Sequence, residues 1–116
     1  MQNFADRLDH SIQEKKSCLV VGLDPVLDRL PPEVLYEVGV PHAGEPGWTA
    51  RAASATGIFL RGVIDAVAPH AVAVKPNAGF FERFGAVGWD CLRQVSEYAA
   101  KQGLLVICDA KRGDIG

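Results

Sequence analysis

Three short apolar runs dictate what this chain can fold into: CLVVGL over Cys18–Leu23, AVAV over Ala71–Val74 and LLVIC over Leu104–Cys108. Each has the length and β-branched content of a strand and is apolar on both faces, as strands are when both sides are covered. Between them lie stretches of helical period. Trp48–Val67 puts Leu60, Ile64 and Val67 on one stripe, with Pro69 just past its end. Ala86–Gln102 puts Leu92, Val95 and Ala99 in phase, with Gly103 as the C-terminal cap. A further helix is predicted ahead of the first strand, over residues 3–16, where Phe4, Leu8 and Ile12 recur at intervals of four. Strands alternating with amphipathic helices imply a parallel sheet with helices packed against it, an α/β architecture. Residues 28–47 are rich in Pro and Gly and break the rhythm; they are predicted as a long loop with a short helical turn at Pro32–Glu37.

Composition removes several function classes. Of 116 residues, 48% are hydrophobic and 22% charged, and the formal net charge is -2 with acids and bases interspersed. No basic patch points to nucleic acid and no acidic tail to an interaction arm. No apolar run approaches the roughly 20 residues of a membrane span. The N-terminal stretch MQNFADRLDHSIQEKK is charged throughout, unlike a secretory signal. A soluble, cytoplasmic chain with neither nucleic acid nor membrane as partner is expected. Cys18, Cys91 and Cys108 are odd in number and form no CxxC pair, so zinc, redox and disulfide roles are not expected. Each should behave as a small buried hydrophobe.

Charge appears where each apolar run stops. The first is followed by Asp24, in GLDP, and the second by Lys75-Pro76-Asn77. The third is followed by Asp109, Lys111 and Asp114, in CDAKRGDIG. In parallel α/β folds the C-terminal strand ends and their loops converge, and active sites are built there. If the third strand stays extended through Lys111, then Ile107, Asp109 and Lys111 point to one side. Asp24, Lys75, Asp109 and Lys111 would then share one mouth, with Asp114 on the loop beyond. Singly, such residues have ordinary readings: Asp24 as a helix cap, Lys75 as a solvated strand end. Their coincidence at three successive strand ends favours a site. A lysine between two carboxylates keeps its proton, because each anion favours the charged form. It is a poor base and a ready proton donor. A carboxylate beside a substrate anion repels it, and the repulsion disappears once that anion is lost. Decarboxylation followed by protonation of a carbanion uses both effects.

GLDP at 22–25, VKPNAGFFE at 74–82 and DAKRGDIG at 109–116, in this order, resemble the orotidine 5'-phosphate decarboxylase family in its bacterial form with the KPN motif. The resemblance implies a TIM (β/α)8 barrel that forms a homodimer and uses no metal or organic cofactor. The implied reaction converts orotidine 5'-phosphate to UMP and carbon dioxide in pyrimidine biosynthesis. Carried over by position, Lys111 looks like the general acid that protonates C6 of the pyrimidine, and Asp109 resembles the carboxylate set against the leaving carboxylate. Lys75 resembles the lysine that bonds Asp109 and the ribose, and Asp24 the ligand of a ribose hydroxyl. Asp114 resembles the aspartate that, in dimers of the family, crosses to the neighbouring subunit's site. A barrel of this kind takes about 250 residues. Residues 1–116 are therefore expected to be the N-terminal portion of a single TIM-barrel decarboxylase domain: about the first three β/α units plus an N-terminal helix. The phosphate-gripping loops after the seventh and eighth strands would lie beyond it, and the portion alone is expected to be inactive.

Two rival readings stand beside this one. Metal-dependent sugar-phosphate decarboxylases and aldolases of a related barrel family also carry an Asp-x-Lys-x-x-Asp strand end, whose acids would bind magnesium. The Arg112-Gly113 pair and the KPN motif favour the orotidylate reading. Alternatively the chain is a non-catalytic barrel fragment, with the inward side chains Val21, Val74 and Ile107 left uncovered.

Overall fold

In the computed structural model, which describes residues 2–113, helix α1 runs over Phe4–Lys15. Its start is set by Asn3, whose side-chain oxygen accepts the Asp6 N–H at 2.9 Å. The stripe of Phe4, Leu8 and Ile12 is only partly covered, and Phe4 stays 42% exposed. The helix is anchored at its other end. Lys15 Nζ donates to the carbonyls of Ala68, Ala71 and Gly103 at 3.0, 2.9 and 3.2 Å. Ala68 and Gly103 lie at the exits of the two long helices, where unpaired carbonyls gather partial negative charge.

Strands β1 (Val20–Leu23), β2 (Ala73–Pro76) and β3 (Leu105–Val106) form a parallel sheet in the order β1-β2-β3. Helix α3 (Trp48–Val67) crosses from β1 to β2, and α5 (Ala86–Lys101) from β2 to β3. The pairing of the third strand reaches beyond its two ladder residues. Leu105, Ile107 and Asp109 donate their N–H groups to Val72, Val74 and Pro76 at 3.0, 2.9 and 3.0 Å. This run of parallel strands in sequence order, with helical crossovers, is the arrangement that the first three units of a (β/α)8 barrel require.

Register decides which side chains meet the helices. Val21 pairs with Val74, Val74 with Val106, and Leu23 with Pro76. Laterally paired residues share a face, and this face packs with Leu60, Ile64, Leu92 and Val95 in the core. Val20, Gly22, Ala73, Lys75 and Leu105 occupy the other face. Val21 and Val74 therefore face the helices rather than the barrel interior, which corrects the expectation for both. Ile107, two residues past Leu105, keeps the interior parity.

Residues 28–47 are more ordered than a long loop. A 3₁₀ turn at Leu27–Arg29 and helix α2 (Pro32–Val38) bury Leu27 and Leu30 in the core. Arg51 of α3 donates to the carbonyl of Val38 at 3.1 Å, holding α2 in place. Trp48 meets Phe84 edge-on at 5.6 Å, with the Arg83 guanidinium 5.7 and 5.3 Å from the two rings. A one-turn helix α4 (Gly79–Glu82), absent from the sequence expectation, follows β2. Gly88 lets α5 close against it, since a Cβ there would overlap the Phe81 carbonyl. Gly103, at φ 77°, ends α5 with a paired motif: its N–H bonds Ala100 and that of Leu104 bonds Ala99.

Of the cysteines, only Cys91 is buried. Its Sγ lies 3.3 Å from the Ala53 carbonyl, and burial pushes its thiol up to about 11. Cys18 and Cys108 are exposed, contrary to expectation. Cys18 precedes the first ladder residue, and Cys108 lies on an outer strand with one neighbour.

Candidate active site

Lys75 stands at the third position of β2, opposite Gly22 of β1. Gly22 has no side chain, and the space above it is taken by Asp24, whose Oδ1 lies 3.5 Å from where a Cβ at 22 would sit. The Asp24 carboxylate thus leans over the face that carries Lys75. No hydrogen bond joins it to Lys75, Asp109 or Lys111 among the described residues.

Asp109 is fixed through its backbone on both sides. Its N–H donates to Pro76 at 3.0 Å and its carbonyl accepts from Ala78 at 3.1 Å. An isolated bridge pairs it with Asn77. The side chain then has little freedom, and its Oδ2 accepts from Lys75 Nζ at 3.3 Å and from Lys111 Nζ at 2.6 Å. The Lys111 hydrogen bond holds the Asp109 carboxyl below the usual carboxylate range. The Lys75 bond and the charges of both lysines act the same way, against the opposing effect of partial burial. Three of the predicted residues are thereby joined, and Asp24 lies over the same face. Asp114 falls outside the described residues.

Lys111 does not continue the strand. Its φ is 51°, in the left-handed region, where a Cβ costs roughly 1–2 kcal/mol. The parity argument therefore ends at Asp109, and the lysine reaches the cluster by a turn of the backbone instead. Arg112 flanks that turn: its Nη1 donates to the Ala110 carbonyl at 2.8 Å and its Nη2 to the Glu82 carboxylate. Glu82 closes α4, whose start is fixed by Asn77 Oδ1 accepting the Gly79 N–H at 3.3 Å. Glu82 was missed as a candidate. It ends the VKPNAGFFE stretch, and nothing local in the sequence links it to Arg112, 30 residues on.

The array offers one carboxylate whose Oδ2 takes two ammonium groups, with the Asp109 side chain 25% exposed. Among the described residues no group of three or more His, Cys, Asp or Glu side chains gathers as a metal site. A cavity of about 230 Å³ lies between α3 and α5, lined by Ala53, Gly57, Arg61 and Cys91, and receives none of the strand-end charges.

Residues 56–116 match the orotidine 5'-phosphate decarboxylase / HUMPS family. Among individual proteins, the orotidine 5'-phosphate decarboxylase of Natronomonas pharaonis is 42% identical over 115 residues, covering 99% of this chain and 35% of the relative. That of Halobacterium salinarum is 39% identical over 114 residues, covering 98% and 36%. The solved structure of Leishmania donovani OMP decarboxylase superposes with a TM-score of 0.68 at 34% identity, covering 99% of this chain and 36% of that one. The chain thus spans about a third of the length of the relatives it matches.

Proposed function

Because the chain belongs to the orotidine 5'-phosphate decarboxylase / HUMPS family, we propose that it supplies the lysine–aspartate array of an enzyme that converts orotidine 5'-phosphate to UMP and carbon dioxide. The observation that carries this reading is the convergence of Lys75 and Lys111 on one oxygen of Asp109, at the ends of adjacent parallel strands. Asp109, kept ionised by its two lysines, stands against the substrate carboxylate and raises the energy of the bound ground state. As the C6–carboxylate bond breaks, carbon dioxide departs and the electron pair stays on C6. Lys111 then delivers a proton from Nζ to C6 and is left as the neutral amine. Lys75 keeps Asp109 in place and faces the ribose, while Asp24 accepts from a ribose hydroxyl. Electrostatic repulsion that exists only before carbon dioxide leaves favours the transition state over the ground state.

A metal-assisted aldol or decarboxylation fits this site poorly. The Lys75 and Lys111 ammonium groups both sit on Asp109 Oδ2, and their charge opposes a divalent ion at the same carboxylate. The protein acts in the cytoplasm as a homodimer in which Asp114 reaches the neighbouring subunit's site. Residues 1–116 form the N-terminal portion of one barrel domain and lack turnover by themselves, because remote contacts to the substrate phosphate drive such chemistry. The test is to express the protein at its full genomic length and follow UMP formation from orotidine 5'-phosphate with and without EDTA. Turnover insensitive to EDTA is expected. Turnover abolished by EDTA and restored by magnesium would transfer the chain to the metal-dependent reading.

A further inference from the structure

We infer that Glu82 is a positioning residue for Lys111: through Arg112 it holds the loop after β3 in the turn that returns the lysine ammonium to Asp109. The inference deepens the decarboxylase reading and rests on it for the role of Lys111.

Glu82 touches none of Lys75, Asp109 and Lys111 among the described hydrogen bonds; its partner is Arg112. The guanidinium of Arg112 bonds both the Glu82 carboxylate and the Ala110 carbonyl. Lys111 lies between Ala110 and Arg112, so the residues on both sides of it are tied by one planar group. Lys111 itself has a φ of 51°. A residue with a side chain keeps that conformation only where its surroundings over-determine it, and the guanidinium bridge is the restraint next to it.

The other end of the bridge is equally fixed. Helix α4 is held at its start by Asn77 and by the Ala78 N–H on the Asp109 carbonyl, at 3.1 Å. At its end it meets α5 through Gly88, where no Cβ fits. Glu82 is therefore referenced to the same strand end that carries Lys75 and Asp109. Its pair with Arg112 is open to solvent, with side chains 30% and 58% exposed respectively. Exposed pairs of this kind add little to stability. A bare structural tie would leave catalysis alone, whereas a positioning tie alters turnover more than melting.

The experiment compares the full-length protein with its Glu82→Ala and Glu82→Gln variants, each labelled with carbon-13 at the aspartate carboxyl carbon. In Glu82→Ala, kcat is expected to fall about 10- to 100-fold with KM unchanged, as for a misplaced catalytic group. The Asp109 titration midpoint, which Lys111 and Lys75 depress together, should rise. Glu82→Gln keeps an acceptor for Arg112 and should recover part of both effects, and melting temperatures should stay close to the parent. Unchanged kcat and unchanged Asp109 titration in Glu82→Ala would overturn the inference. If the parent itself fails to convert orotidine 5'-phosphate, the decarboxylase reading falls, and the Asp109 titration still decides whether Glu82 positions Lys111.

Discussion

Lys111 Nζ sits 2.6 Å from Asp109 Oδ2 although a single residue separates the two in the chain. In an extended strand such neighbours point the same way and stand about two rises apart. Here the left-handed turn at Lys111 folds the longer side chain back onto the shorter one.

That contact makes Lys111 the group nearest to a proton-delivery role. Replacing it, as Lys111→Ala in the full-length protein, is expected to lower turnover of orotidine 5'-phosphate by roughly 10²- to 10⁴-fold, the range typical of a general acid. Steady-state kinetics check this, and near-normal turnover in the variant would remove the assignment.

Asp109 and Lys111 should also fail to act independently. Each sets the position and charge state of the other, so the double variant Asp109→Ala/Lys111→Ala should lose much less activity than the two single losses combined. A loss in log rate equal to the sum of the singles would contradict the coupled array.

The titration of Asp109 gives a prediction that needs no substrate. Its folded value lies below that of a free aspartate, about 3.9. The stabilisation from its two lysines is therefore complete above that pH and is lost as pH falls through the lowered folded value. The Lys111 bond is the largest cause, so Lys111→Ala should move the midpoint up, and Lys75→Ala should move it up less. Carboxyl-carbon NMR across pH 2 to 6 reads both shifts, with the span set by the usual carboxylate range. An unchanged midpoint in Lys111→Ala would show that the contact is absent in solution.

Gly88→Ala tests the seam that fixes α4. The new methyl would overlap the Phe81 carbonyl and crowd the Phe84 Cβ at 3.0 Å. Neither neighbour can swing aside as a flexible side-chain tip would. A loss of about 2–3 kcal/mol is expected, measured by denaturant unfolding, whereas Gly62→Ala, with open space around it, should be neutral or slightly stabilising.

The alternation of elements was legible in the sequence because both signals are local. Helix α3 begins and ends at the predicted residues, Trp48 and Val67. The stripe of Leu92, Val95 and Ala99 is buried as its period implied. Lys75 and Asp109 were legible for the same reason, since a charge at the end of an apolar run marks the strand exit. Facing was not legible in strands apolar on both sides: nothing in CLVVGL distinguishes Val20 from Val21, and only the pairing with Val74 decides it. The turn at Lys111 was missed because no glycine announces a positive φ there. Glu82 was missed because its partner lies 30 residues away, beyond any local pattern.

The Lys15 ammonium and its three carbonyls, finally, bear on the order in which the molecule assembles. Ala68 and Ala71 share one turn of chain at the end of α3, and Gly103 joins them only when α5 has turned back toward the sheet. The N-terminal helix finds its complete set of carbonyls only once both crossovers exist. Its docking is expected to follow the rate-limiting barrier. Removing the ammonium, as in Lys15→Met, should chiefly speed unfolding and leave the refolding rate almost untouched. On that expectation helix α1 is a latch set last and released first.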